Sequence, residues 1–197
     1  MILTRNEQRI LRFLATSSHR DYSINDIAKA VGISPNGAYK MLTKFKREGI
    51  LEVKSIANIA SYRLCFDEEK TRRIIELAFL PQPLEGRVQL RVKDLQPFKD
   101  VTKICILFGS YITTKKEPQD LDILFVLKKE DFDEYKKIMD KVQDITPIKI
   151  QDVILAKEDL KTNLEKQNPV VISALRDGIV LWGCDVLVQV IEHVYAR

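Results

Sequence analysis

The amino-terminal part of the chain combines amphipathic apolar spacing with strong helix-capping signals. Ser23 precedes one periodic segment, and Ser34-Pro35 precedes the next, a combination that favours a helix start. Apolar residues spaced by three and four predict helices, and shorter apolar runs predict strands. The predicted elements are helices up to about Ala15, over Ile24–Val31 and from Pro35 to about Glu48, then strands Ile50–Val53 and Ser61–Leu64 around a loop at Ala57-Asn58.

The remainder of the chain mixes apolar strand-like runs with amphipathic helices. Phe66–Leu80 is a predicted linker helix, and Pro81-Gln82-Pro83 ends it. Leu84–Phe98 is ambiguous, because its apolar residues fit both a strand and a helix. The other predicted elements are strands Ile104–Phe108, Leu121–Leu127 and Ile148–Leu155, and helices from about Lys128 to Val142, Asp159–Glu165, Pro169–Arg176 and Asp185–Tyr195. We therefore expect domains at residues 1–66 and 84–197, joined by a linker at 67–83.

Three carboxylates fall on or beside predicted strands of the second domain. Asp120 and Asp122 stand at i and i+2 at the entrance of one strand, so their side chains point to the same face. Like charges on an apolar strand are costly unless a cation lies between them, and hard oxygen donors suit Mg²⁺. Asp152 lies inside a later strand, and if the two strands pair, all three acids meet. Taken singly, Asp120 also fits a turn residue and Asp152 an edge-strand acid.

A glycine turn follows the first strand of this domain. Gly109 permits close approach of the backbone, and Ser110 offers a hydroxyl group to a phosphate. Gly109-Ser110 followed by Asp120-x-Asp122 on a strand and Asp152 on a later strand resembles the nucleotidyltransferase superfamily that includes DNA polymerase beta and kanamycin nucleotidyltransferase. The small members of that superfamily, some of which act as antitoxins, are the most similar in size.

The resemblance implies a mixed α/β (α+β) fold, a sheet flanked by helices, with a helix at Leu84–Phe98. It also implies that Gly109 and Ser110 hold the triphosphate of an NTP, expected to be ATP, and that Lys115 and Lys116 add basic charge. Asp120, Asp122 and Asp152 would bind two Mg²⁺ ions, and Asp152 would also help to activate an acceptor hydroxyl.

The amino-terminal elements resemble a winged helix-turn-helix, the module of many DNA-binding regulators. The third helix carries polar and basic residues opposite its apolar stripe, and such a helix fits the major groove. The expected double-stranded DNA contacts are Asn36, Tyr39, Lys40, Thr43, Lys44 and Arg47 on that helix, with Lys54 and Arg63 in the wing. A solvated basic face or a protein-binding module is the alternative.

The amino-acid composition limits the class of protein and the cellular compartment that we expect. The chain has 197 residues, 45% hydrophobic and 30% charged residues, and a net charge of +4, which is typical of a globular protein. Neither a leader peptide nor an apolar run of membrane-spanning length stands out, so we expect a cytoplasmic protein. Cys65, Cys105 and Cys184 are widely spaced, which favours free thiols over disulfides or a zinc site.

Two functions remain open at this level. The first is an enzyme that transfers a nucleoside monophosphate from an NTP to an unknown acceptor, such as a partner toxin, with an attached DNA-binding module. The second is a transcriptional regulator in which the nucleotidyltransferase fold serves only as a sensor or dimerisation body. A homodimer is compatible with either function.

Overall fold

The computed structural model describes residues 2–17, 21–56, 59–81, 83–84, 86–113 and 118–195. The chain forms two compact units, Met1–Phe79 with Ile191–Arg197, and Leu80–Val190. The predicted linker helix and the last turns of the final helix thus both lie in the first unit. Within the described ranges, no helix has the length and apolar character that a membrane crossing requires.

The described part of the first unit contains three helices, an antiparallel hairpin and a fourth helix, together with the last turns of the final helix. Its elements are α1 Arg5–Ala15, α2 Ile24–Val31, α3 Pro35–Arg47, β1 Leu51–Ile56, β2 Ile59–Leu64 and α4 Glu69–Phe79. The predicted caps are confirmed at Ser23, whose side chain accepts from the Asp26 N–H, and at Ser34, which accepts from Gly37. The starts of α2 and α3 could therefore be predicted from the local sequence, because a capping residue satisfies backbone N–H groups within its own turn.

Apolar side chains from all three amino-terminal helices and the hairpin form the core of this unit. The fully buried ones include Ile10, Leu11, Ile27, Leu42, Phe45 and Ile50. Arg12 on α1 donates from Nε to the Ala78 carbonyl oxygen at 2.8 Å and from Nη2 to that of Phe79 at 3.2 Å. These bonds satisfy carbonyl groups at the end of α4, which explains why α4 packs with this unit.

The second unit is a four-stranded mixed sheet with helices on both sides. Its elements are α5 Gly86–Leu95, β3 Ile104–Phe108, α6 Ser110–Thr113, β4 Asp120–Val126, α7 Phe132–Ile145, β5 Lys149–Leu155, α8 Lys157–Glu165, α9 Pro169–Asp177, β6 Ile179–Trp182 and the first turns of α10 Cys184–Tyr195. Short 3-10 turns occupy Gln96–Phe98 and Lys129–Asp131. The segment that was ambiguous in sequence is helical over Gly86–Leu95. All three cysteines are free; Cys105 is buried, whereas Cys65 and Cys184 are partly exposed.

The strand order is β5-β4-β3-β6, with β4 and β5 parallel and the other pairs antiparallel. One face carries Cys105, Leu107, Leu121, Ile123 and Phe125, which form a core cluster with Phe98 and with Tyr135 of α7. Because strand side chains alternate, Ile106, Asp120, Asp122 and Leu124 belong to the other face. The expected mixed α+β fold is thus confirmed for this unit.

Candidate active site

The turn after β3 is shaped around one carboxylate. Gly109 has φ +75°, and a Cβ atom built on it would lie 2.0 Å from Asp122 Oδ2 and 2.9 Å from Asp122 Cγ. Phe108 pairs with Asp122 in the β3–β4 register, so the turn sits directly beside this side chain. The Ser110 backbone N–H, at the start of α6, donates to the Asp122 carboxylate. Only glycine fits here, because any side chain would displace Asp122.

Asp120 and Asp122 lie on one face of β4, at the amino-terminal end of the strand. They are called here the carboxylate pair. Both side chains are partly accessible. Partial burial and the charge of Asp120 raise the pKa of Asp122, while the Ser110 N–H acts in the opposite direction. The pair thus holds two like charges close together, an arrangement that a cation would stabilise.

Gln151 is the third polar side chain at this place, and sequence reasoning missed it. It stands opposite Asp122 in the parallel β4–β5 register, and therefore points to the same face. Its Nε2 donates to Asp120 Oδ2 at 2.6 Å. The signal available beforehand was a polar residue between Ile150 and Asp152, but strand register is not visible in the sequence.

Asp152 does not join the carboxylate pair, which corrects the predicted meeting of three acids. It is in register with Ile123, whose side chain lies in the core cluster on the other face of the sheet. There Asp152 Oδ2 accepts a hydrogen bond of 2.7 Å from the buried Tyr135 hydroxyl on α7. One residue along a strand reverses the face, so Gln151 takes the position that the prediction gave to Asp152.

The structure describes only some of the predicted nucleotide-binding residues. Gly109 and Ser110 lie at the carboxylate pair, as described above, whereas Lys115 and Lys116 lie outside the described residues. Tyr111, which follows the glycine turn, is buried in the core cluster. Its hydroxyl donates to the Arg87 carbonyl oxygen at 3.2 Å, and the Arg87 guanidinium lies 5.2 Å from its ring centroid. The tyrosine is therefore a packing residue.

The donors suit a hard divalent cation but are few. Across the described parts of the chain, no group of three or more His, Cys, Asp or Glu side chains is arranged to hold a metal ion. Two carboxylates are nevertheless a sufficient protein contribution for Mg²⁺ when substrate phosphates supply further oxygens. The residues therefore fit a cation that is bound together with a phosphate ligand.

In the first unit, α3 presents most of the predicted DNA-contacting residues to solvent. Tyr39 is 54% exposed, and the other exposed members of this face are Asn36, Lys40, Thr43 and Arg47, together with Lys46, which the sequence reasoning omitted. Lys44 differs, because its Nζ lies 2.7 Å from Oε1 of the buried Glu7 on α1. Lys44 thus fixes α3 to α1.

The two predicted wing contacts lie on one face of the hairpin. Glu52 pairs in register with Arg63, so Lys54 and Arg63 share a face, and both line a cavity of about 450 Å³ with Phe66, Arg72, Glu192 and Tyr195. Lys54 Nζ is 3.8 Å from Glu52 Oε1, and the Arg63 guanidinium is 5.9 Å from the Tyr195 ring centroid. The partners of both cations, Glu52 and the Tyr195 ring, thus also line this cavity.

Comparison with known proteins matches part of the second unit to a family model. No curated protein and no solved structure matched the chain. The matched family segment begins in α5 and ends at Gly178, so it contains the glycine turn, the carboxylate pair and Gln151. Residues 92–178 match the family model described as Polymerase beta, Nucleotidyltransferase, and this match supports a nucleotidyltransferase domain in the second unit.

Proposed function

We propose that the second unit transfers a nucleoside monophosphate from an NTP, expected to be ATP, to an acceptor. The observation that carries the proposal is the position of the carboxylate pair against the glycine turn, inside the segment that matches the nucleotidyltransferase family. The match of residues 92–178 to that family model supports nucleotidyl transfer in general. The acceptor, for which a protein such as a partner toxin is our hypothesis, comes from resemblance alone.

Each residue of the site has a role in this proposal. Gly109 and Ser110 would let the triphosphate approach the backbone, and Asp120 and Asp122 would hold the Mg²⁺ that comes with it. The bound ion would neutralise charge on the phosphates. The acceptor oxygen forms a bond to the α-phosphorus, the bond from that phosphorus to pyrophosphate breaks, and the acceptor proton passes to water. Lys115 and Lys116 remain proposed contacts.

Asp152 has no part in this scheme, because it faces the Tyr135 side of the sheet. The prediction of two Mg²⁺ ions depended on three acids at one place. With two carboxylates and the neutral Gln151, the donor set favours one ion held jointly by protein and nucleotide.

The test uses α-labelled NTPs with the full-length protein, Mg²⁺ and a cell extract as the source of acceptors. We expect labelled product and pyrophosphate, with at least about a 100-fold loss in Asp120→Asn and Asp122→Asn. Asp152→Asn is the matched control, since it removes a carboxylate from the neighbouring strand but from the other face, and should keep full activity. Equal labelling by all four proteins would refute the proposal.

A second function is favoured by the solvent-exposed polar and basic face of α3. We infer that the first unit is a winged helix-turn-helix that binds double-stranded DNA through Asn36, Tyr39, Lys40, Thr43 and Arg47. The three helices followed by a hairpin support this inference. Lys44 would act indirectly, by holding α3 on α1, and Lys54 and Arg63 would contribute less than α3. In a regulator of this kind the second unit would be a sensor or dimerisation body.

DNA binding is testable by titration at several salt concentrations. Lys40→Ala and Arg47→Ala should each weaken binding and lower the salt dependence by about one unit of slope. Lys141→Ala, which removes an exposed charge from α7 of the second unit, is the control and should leave the affinity unchanged. If the two α3 variants bind as the control does, α3 is not the DNA-binding helix.

A further inference from the structure

Gln151 has two properties that matter for cation binding. Its position opposite Asp122 puts it beside the carboxylate pair, and its amide Nε2 donates to Asp120 Oδ2 at 2.6 Å. It therefore occupies one lone pair of a candidate ligand oxygen. At the same time, it brings no negative charge to the site.

The second carboxylate is also held by a donor from the protein. Asp122 accepts from the Ser110 backbone N–H and lies so close to Gly109 that a Cβ atom there would be 2.0 Å from Oδ2. The two like charges are thus compensated by two neutral N–H donors. A cation entering alone would gain only two carboxylates and would compete with the amide of Gln151 for Asp120 Oδ2.

We propose that Gln151 is a positioning residue that makes cation binding depend on nucleotide: it holds Asp120 in place, and the pair binds a divalent cation firmly only when a nucleoside triphosphate supplies the remaining anionic oxygens. The inference rests on the proposed function of the second unit, because it assumes that this site takes NTP with its cation.

The chemistry of the ion supports this coupling. Mg²⁺ gives up its water reluctantly and is bound in proteins through one or two carboxylates plus substrate phosphates. Affinity for such ions depends on the number of charged ligands. Among the described residues, no third carboxylate joins the pair. The pair is therefore a weak cation site by itself, and the triphosphate completes it.

The experiment measures binding of Mn²⁺, as a probe for Mg²⁺, by electron paramagnetic resonance with and without α,β-methylene ATP. This analogue cannot undergo nucleotidyl transfer, so the readout is independent of activity. For the wild-type protein, we expect the protein and the analogue together to bind Mn²⁺ at least about tenfold more tightly than either of them binds it alone. Gln151→Glu supplies the missing charge and should bind Mn²⁺ at least about tenfold more tightly without nucleotide.

Two further variants make the result decisive. Gln151→Asp repeats the added charge with a shorter side chain, in case Gln151→Glu fails to fold. Asp152→Asn, on the adjacent residue but the opposite face, should behave like the wild type in both conditions.

Wild-type protein that binds Mn²⁺ equally well with and without the analogue would overturn the inference, and so would Gln151 variants that fold and bind no more tightly. If the wild-type protein labels no acceptor but binds Mn²⁺ more tightly with the analogue, the proposed nucleotidyl transfer is refuted and the inference about Gln151 stands. If the protein transfers the nucleotide but the analogue does not tighten Mn²⁺ binding, only the role of Gln151 is refuted.

Discussion

Asp122 and Asp152 lie on opposite faces of the sheet, although they belong to hydrogen-bonded neighbouring strands. In the parallel pairing of β4 with β5, Asp122 is opposite Gln151 and Ile123 is opposite Asp152. Asp122 therefore faces the glycine turn, while Asp152, which is itself exposed, accepts from the buried Tyr135 on the other side of the sheet. A shift of β5 by one residue in register would put Asp152 opposite Asp122, in the place of Gln151.

The bond between Tyr135 and Asp152 should matter for stability. Tyr135 is 1% exposed, and burial together with its hydrogen bond to Asp152 raises the pKa of its hydroxyl. Asp152→Ala removes the acceptor and should lower the free energy of unfolding by about 1–2 kcal/mol, because a buried hydroxyl is left unpaired. Asp152→Asn keeps an acceptor oxygen and should cost less than half as much. Urea unfolding of the three proteins measures this, and equal losses in both variants would show that the charge of Asp152, rather than its acceptor oxygen, is what counts.

Gly109→Ala should disturb both the fold and the candidate site. The positive φ alone costs an L-residue about 1–2 kcal/mol, and the new Cβ would displace Asp122. We expect a total loss of about 3 kcal/mol or more, with loss of Mn²⁺ binding in the presence of nucleotide. Gly86→Ala is a matched control in the same unit, because Gly86 also has a positive φ, +57°. Among the described residues other than its chain neighbours, no atom lies within 4 Å of the added Cβ. Equal losses for the two variants in thermal unfolding would argue against the steric account.

The charge of Asp122 should be unfavourable for folding in the absence of a ligand. Burial and Asp120 raise its pKa above the ordinary value of 3.8, so the folded state holds the proton more tightly than the unfolded state. Its contribution to stability is complete below pH 3.8 and is lost as pH rises through the folded pKa. Asp122→Asn should thus raise the melting temperature at pH 7 by about 2 °C. The difference should vanish near pH 3, and thermal scans across this range that show a constant difference would contradict the pKa shift.

Glu7 should behave in the opposite way with pH. Burial alone would raise its pKa, but hydrogen bonds from Lys44 and from the Thr4 backbone outweigh burial and hold the pKa below 4.5. Its stabilising effect is present above pH 4.5 and is lost as pH falls through the folded pKa. Glu7→Gln keeps the cap on Thr4 but loses the ion pair with Lys44, and should cost about 1–2 kcal/mol at pH 7.

The control for Glu7 is Glu52→Gln in the hairpin. Glu52 and Lys54 are about half exposed and 3.8 Å apart, so loss of that pair should change stability by less than about 0.5 kcal/mol. Denaturation at pH 7 and pH 3.5 compares the two variants. A Glu7→Gln protein that loses no more stability than the control would show that Lys44 does not fix α3 to α1.

Much of the fold could be predicted from local patterns. Ser34 and Pro35 determine the start of α3 within one turn, and the apolar runs Ile104–Phe108 and Leu121–Leu127 coincide with β3 and β4 to within a residue. Asp120 and Asp122 could be associated with each other in advance because an i, i+2 pair on one strand is a local feature. Their association with Gly109 came from the family resemblance, because the contact itself depends on the pairing of β3 with β4. The DNA-contacting role of α3 stays a prediction.

What the sequence by itself determined is therefore most of the elements, the caps at Ser23 and Ser34, and the face that the alternation of each strand defines. Only the tertiary structure decided how β5 lies against β4, and with it that Gln151 rather than Asp152 meets the carboxylate pair. It likewise directed Lys44 to Glu7 instead of to solvent. The physical reason is that hydrogen-bond register and helix packing are set by contacts between residues far apart in the chain, whereas capping and periodicity act within a few residues.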